Sequence, residues 1–376
     1  MATSRRELRR RCDLIRERMD EEGLRALVIF SQVQIGLGGA VRYLSDLRFP
    51  TRKQYLVLPL SGDPVLIVST PGQLLRAKSH SWIRDVRMGG ETEGIIQELA
   101  RALRMLGLKN RTTGIVGLNN TMPHYDYQLL AGELPKAHFR DATELLDGVR
   151  MVKSKEEIEM IQQATEIADQ CYARLLEVLK VGKNELEVMA EVDKVLIRQG
   201  VEDILVLTDK GRSFLAFIGH PGPYIFKKGD HYIFSVEISG PSGYWTQIAR
   251  TLCLGKPSLQ YQRMFKAAMD ALNVGVANLI PGKVIGDLVK AVVGKINEEG
   301  FKTGYWCGHG MGLDVGESPG LFRDSTVKLK ENMVITIHPH VMTPDGKAGI
   351  FLGDTFVVQK GGARNLSKSI CNLECL

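Results

Sequence analysis

The sequence predicts an α/β (α+β) chain of two domains, and three observations carry the prediction. Residues 1–150 alternate helix and strand signals. Near residue 150 the pattern changes to long helical stretches with one apolar face. Beyond it, helices are followed by strands, and that order occurs twice, so 151–376 reads as one domain of two similar halves without a sequence-level repeat. A chain of 376 residues is long enough for both domains to bury a core.

Each element has its own signal. The start, MATSRRELRRRCDLIRERMDEEGLRALVIF, is basic, but acidic residues interrupt it and no apolar core precedes a cleavage site. It reads as an amphipathic first helix, not a targeting signal. LRALVIFS and QYLVLPLSGDPVLIVS read as strands, the second pair joined by a Ser-Gly-Asp-Pro turn. TEGIIQELARALRMLG has helical apolar spacing and stops at Gly107. In the second domain Ser154 and Glu157 form a capping box ahead of a helix with Ile158, Ile161, Ala164, Ile167, Ala168 and Cys171 on one face. A helix capped by Asn184 and closed by Gly200 follows, then strands, the helix SLQYQRMFKAAMDALNVGVANL, a Pro281-Gly282 turn, a helix from Asp287, and strands to the end.

Bulk properties exclude several classes. The net charge of +6 comes largely from the first helix, where arginines share a face with glutamates. No basic stripe is interleaved with aromatics, so no nucleic-acid partner is expected. No apolar run approaches the roughly 20 residues that span a membrane. The six cysteines are scattered and make neither a disulfide framework nor a zinc pattern, so reduced thiols in a cytoplasmic protein are expected.

The chemistry concentrates in the second domain. ENMVITIHPHV reads as a short apolar strand, Val334 to Ile337, ending in His338-Pro339-His340. With GYWTQIARTLCLG, LIPGKVIGDLV, GHGMGLDVGESP, KLKENMVITIHP and AGIFLGDTFVV, the chain resembles the creatinase, prolidase and aminopeptidase-P family from about Val152 to Val358. That resemblance implies the family's pita-bread fold, with a looser likeness of residues 1–150 to its N-terminal domain. It also implies a place for two divalent metals held by two aspartates, one histidine and two glutamates. Here the histidine is His309, the second aspartate is Gln247, the first glutamate is His338, and the last falls on Gly353 beside Asp354. The first aspartate falls on Ser235, Val236 or Glu237 according to the direction of counting. Ser235 and Glu237 share a strand face, because side chains alternate with period two.

Charge then argues against a standard dinuclear metallopeptidase. At most two of the four carboxylates remain, Glu237 and Asp354, and an imidazole nitrogen does not bridge two metals as a carboxylate does. Three readings follow: a pocket without a metal, one divalent transition metal on His309, His338 and Glu237 or Asp354, or a histidine that only hydrogen-bonds internally.

Within the family the pocket pattern is most similar to creatinase, which works without metal. That likeness places a general base at His220, orienting histidines at His309 and His338, and arginines for a substrate carboxylate at Arg52 and Arg323. Glu237, Gln247 and His340 are the further substrate-binding candidates. Arg52, in RFPTRKQYLV, is expected to cross the interface of a homodimer. The peptidases' second histidine is Gly316 here, and Ala249 and His338 stand where creatinase keeps two glutamates. The main expectation is a non-peptidase hydrolase of the creatinase type, cleaving a C–N bond of a small carboxylate-bearing substrate without a two-metal centre. The alternatives are a mononuclear-metal hydrolase or lyase, an Xaa-Pro peptidase-like metalloenzyme with altered ligands, and a non-catalytic binding module.

Overall fold

The computed structural model describes residues 3–32, 38–49, 51–211, 218–304 and 306–376. The chain divides into two units, Met1–Arg150 and Met151–Leu376.

The first unit runs α1 (Arg5–Glu21), β1 (Ala26–Gln32), α2 (Gly39–Ser45), β2 (Lys53–Pro59), β3 (Val65–Val68), α3 (Pro71–His80), β4 (Asp85–Met88), α4 (Glu93–Met105), β5 (Thr112–Val116), α5 (His124–Glu133), β6 (His138–Asp141) and α6 (Thr143–Arg150). Its six strands form one mixed sheet in the order β4-β3-β2-β1-β5-β6. The β2–β3 pair is the antiparallel hairpin of the Ser-Gly-Asp-Pro turn. Ile95, Leu99 and Leu103 of α4 pack on Val28, Val57 and Ile67 of the sheet. The helical spacing thus marks a buried face.

The second unit runs α7 (Lys155–Val178), α8 (Glu185–Arg198), β7 (Asp203–Gly211), β8 (His231–Ser239), β9 (Trp245–Cys253), α9 (Leu259–Ala277), α10 (Ile285–Glu298), β10 (Lys302–Thr303), β11 (Gly308–Gly310), β12 (Glu317–Gly320), β13 (Val334–Ile337), β14 (His340–Met342), β15 (Gly349–Phe351), β16 (Asp354–Gln359), β17 (Gly362–Asn365) and β18 (Glu374–Cys375). Two helices followed by strands occur twice, as the sequence suggests. The Ser154–Glu157 capping box opens α7 with both reciprocal bonds made. α10 begins at Ile285, two residues before Asp287, and Val284 caps it without a side-chain bond. Ile158 is only half-buried, whereas Ile161, Ala164, Ala168 and Cys171 are fully covered.

Sheet order is β18-β9-β8-β7 in one sheet, β12-β11-β13-β16-β17 in a second and β10-β14-β15 in a third. β8 and β9 are buried along their whole length, so both of their faces carry packed side chains. Val236, Ile238 and Ile248 point into the cluster built with α7 and α8. Ile233 and Ala249 point the other way, toward the cluster built with α9 and α10. Ser235, Glu237 and Gln247 alternate onto this second face, and the candidate site starts there. Among the described residues no helix is long and apolar enough to cross a membrane.

Candidate functional site

Strand register brings the polar residues together. Leu205 of β7 pairs with Glu237 of β8, and Glu237 pairs with Gln247 of β9. The next row is Leu207, Ser235 and Ala249. Directly paired residues share a face, so Glu237, Ser235 and Gln247 meet. Gln247 Nε2 donates to Glu237 Oε1 at 3.0 Å and to Ser235 Oγ at 3.1 Å. Of the three positions open from the sequence, Val236 lies in the core and Glu237 lines a cavity of about 200 Å³.

The second sheet supplies the imidazoles. His309 lies on β11, opposite Thr336 of β13, and His338 follows β13 immediately. Their ring centroids are 5.3 Å apart, and both line the cavity. His309 Nδ1 lies 3.0 Å from the Gly310 carbonyl. A carbonyl only accepts, so Nδ1 carries the proton and Nε2 is left as an acceptor. Trp306 stacks on His309 with centroids 5.1 Å apart, and Phe351 packs 5.3 Å from His338.

Burial sets the electrostatics. It pushes the Glu237 carboxyl up to about 8. It holds His309 below its ordinary value. Burial, with His309 beside it, holds His338 down to about 3. At neutral pH the cavity lining is therefore close to uncharged.

The other candidates lie elsewhere. Asp354 accepts from Arg250 Nη2 at 2.8 Å and does not line the cavity. His340 is buried on β14, 5.5 Å from Phe351 and outside the lining set, and burial holds it down to about 4. His220 and Arg323 are exposed and not among the lining residues. Arg52 belongs to the first unit, where its Nε pairs with Glu91 Oε1 at 3.1 Å. Gly316 lines the cavity, and a Cβ there would meet open space. Sequence reasoning missed Trp306, Phe351, Leu205 and Leu207. The available signal was an aromatic residue three positions before His309 and another two before Gly353.

Gly353 explains one lost ligand. A Cβ at 353 would lie 2.7 Å from the His338 Cβ and 3.1 Å from the Ile337 carbonyl oxygen. A glutamate there is incompatible with this backbone path. Among the described residues no three or more His, Cys, Asp or Glu side chains form a group that could hold a metal ion. The two-metal set does not fit these residues, and neither does the three-ligand alternative of His309, His338 and Glu237 or Asp354.

Mixed α/β architecture with this strand order and cavity defines a two-domain pita-bread protein. Residues 159–360 match the Metallopeptidase family M24, and residues 11–152 match the Creatinase/Prolidase N-terminal domain. The chain belongs to the M24 family. It is 28% identical over 267 residues to an Xaa-Pro dipeptidase of Pyrococcus furiosus, covering 70% of this chain and 75% of that one. It is 27% identical over 282 residues to an uncharacterized peptidase of Bacillus subtilis, covering 73% and 77%. Among solved structures, dipeptidase PepE from Mycobacterium ulcerans superposes with a TM-score of 0.86 at 25% identity, covering 100% of this chain and 99% of that one. The prolidase from Pyrococcus furiosus gives 0.79 at 26% identity, covering 94% and 99%.

These likenesses correct the main functional expectation. The similar proteins are named dipeptidases and prolidases, so the creatinase-type, non-peptidase reading is overturned in favour of the Xaa-Pro peptidase-like alternative. The creatinase-type expectation rests on single positions, His220, Arg52 and Arg323, whereas the likeness to dipeptidases and prolidases runs over most of the chain. His220 and Arg323 are exposed outside the lining, whereas Arg52 lies in the first unit, where a residue that reaches across a dimer interface is expected.

Proposed function

We propose that the chain is a peptidase-type hydrolase of small peptides with proline in the second position, working in a pocket whose donors do not make a two-metal centre. The observation that carries the reading is the convergence of His309, His338, Glu237 and Gln247 on one cavity, in a chain similar to proteins named Xaa-Pro dipeptidases.

His309 Nε2, unprotonated and facing away from the Gly310 bond, takes a proton from water as the water oxygen attacks the scissile carbonyl. The neutral His338 ring supplies an N–H for the carbonyl oxygen. The proton held on His309 passes to the leaving proline nitrogen as the C–N bond breaks. Burial keeps both rings neutral through neutral pH. The test is hydrolysis of an Xaa-Pro dipeptide panel, with EDTA and separately with added manganese, cobalt or zinc. Cleavage that persists in EDTA and is lost in His309→Ala supports the reading. Absence of cleavage under every condition overturns it.

Binding without cleavage is the second reading. The Gln247–Glu237 hydrogen bond and the Arg250–Asp354 pair favour it, because the two carboxyl groups at or beside the family's ligand places are engaged within the protein. Saturable binding of the same dipeptides without turnover would select it.

A further inference from the structure

We infer that Cys253 and Cys375 are a redox pair, joined by a disulfide when the protein meets an oxidising small-molecule disulfide and parted again by thiols. The inference does not rest on the peptide reading above.

Strand register carries it. β18 runs parallel to β9 at the edge of its sheet, and Cys375 is the register partner of Cys253 in that pairing. Leu376 N donates to the Cys253 carbonyl at 2.8 Å, which holds the register from the next residue. Directly paired residues of neighbouring strands project from the same face of the sheet. Strands about 4.8 Å apart put paired Cα atoms inside the roughly 4.4–6.8 Å that a disulfide spans. Both thiols are free in this structure. β18 is a two-residue edge strand, so the small shift that brings the two sulfurs into bonding geometry disturbs few hydrogen bonds.

The two thiols differ in access, and the difference sets the order of events. Cys375 is exposed, with its Sγ 3.5 Å from the Leu373 carbonyl oxygen. Cys253 is buried, and burial, with Cys375 beside it, pushes its thiol up to about 12. The Cys375 thiolate therefore attacks first, at one sulfur of the incoming disulfide, and expels the other half as a thiolate that takes up the Cys375 proton. Cys253 then attacks the Cys375 sulfur. The second half leaves as a thiolate and takes the Cys253 proton. Two cysteine thiols are oxidised to one disulfide, and the small disulfide is reduced to two thiols.

The bridge fastens a segment that packs beside the Arg250–Asp354 pair. Arg250 Nη2 donates to the Ser369 carbonyl at 3.0 Å, and Ser367 Oγ donates to Asp169 Oδ1 of α7 at 2.6 Å. Closing a loop of about 120 residues restricts the unfolded chain, so the oxidised protein is the more stable form.

The test treats the folded full chain with oxidised glutathione and compares it with the dithiothreitol-reduced chain. The intact mass is expected to fall by two hydrogens, and non-reducing peptide mapping to find Cys253 joined to Cys375. The melting temperature is expected to rise by several degrees and to return on reduction. Cys375→Ser, an exposed position with folding checked by circular dichroism, should abolish the mass loss and the rise, whereas Cys371→Ser should leave both. A glutathione adduct that stays on Cys375, a Cys371–Cys375 bridge, or a disulfide between two copies of the chain overturns the inference. So does a Cys253–Cys375 bridge that forms only in denaturant.

Discussion

Glu237 is a carboxyl group that pays for its position, and the cost has a pH signature. Its folded value is pushed up to about 8 by burial, whereas an unfolded glutamate titrates near 4.5. Below about 4.5 both states are protonated and the residue contributes nothing. As pH rises from 4.5 to 8 the unfolded chain ionises first, so stability falls, and beyond 8 the loss is constant. Glu237→Gln should therefore melt above the wild type at pH 8.5, by several degrees, and close to it at pH 4.5; equal melting temperatures at both pH values would refute the burial argument. His338 works in the opposite direction. Its folded value is held down to about 3, so acidification from 6.5 protonates the unfolded chain first and stability falls. His338→Gln should flatten that acid limb in a pH series of thermal melts. For activity, His309→Ala should lower kcat for an Xaa-Pro dipeptide by at least a hundredfold, the usual worth of a general base.

Strands β13 and β16, with the turn between β15 and β16, determine which ligands are possible. Gly353 lies against His338 so closely that Gly353→Ala is expected to cost about 1–3 kcal/mol, measured by denaturant unfolding. An unchanged midpoint would mean the backbone yields there. β9 and β16 are tied by the isolated Ala249–Gly353 bridge and by Arg250, whose guanidinium bonds the Ala249 and Gly353 carbonyls as well as Asp354. Removing one partner of a buried pair strands the other. Asp354→Ala should thus cost about 3–5 kcal/mol while changing no ligand at the cavity. Helix α7 depends on its capping box, and Ser154→Ala should cost about 1 kcal/mol.

Over the chain as a whole, the prediction concerns metal. A divalent ion bound only by the folded state stabilises by about 2.7 kcal/mol at a concentration a hundred times its Kd. Because no three His, Cys, Asp or Glu side chains among the described residues form a group that could hold a metal ion, 1 mM manganese or zinc should leave the melting temperature of the purified, EDTA-treated protein within about a degree. A rise of several degrees would show a site that the donor set does not account for. The same experiment separates this chain from what the M24 description as metallopeptidases leads one to expect.

Much of the architecture was legible because local rules fix it. Capping at Ser154 and Asn184, the hairpin of β2 and β3, and the apolar face of α7 are short-range signals, and each appears in the structure. The site was legible in part. His309, His338, Glu237 and Gln247 meet because motif order places them on β8, β9, β11 and the end of β13, and their sheets converge. Tertiary structure decided the remainder. Period-two alternation alone left Ser235 and Glu237 equivalent, and only the Glu237–Gln247 register and the cavity separated them. Asp354 is a ligand candidate by sequence, and the fold instead gives it to Arg250, a contact between residues 104 positions apart. Trp306 and Phe351 carried no motif, since an aromatic side chain becomes a cavity wall through what it faces. Sequence pattern encodes which face a side chain takes, whereas partners distant along the chain are chosen by packing.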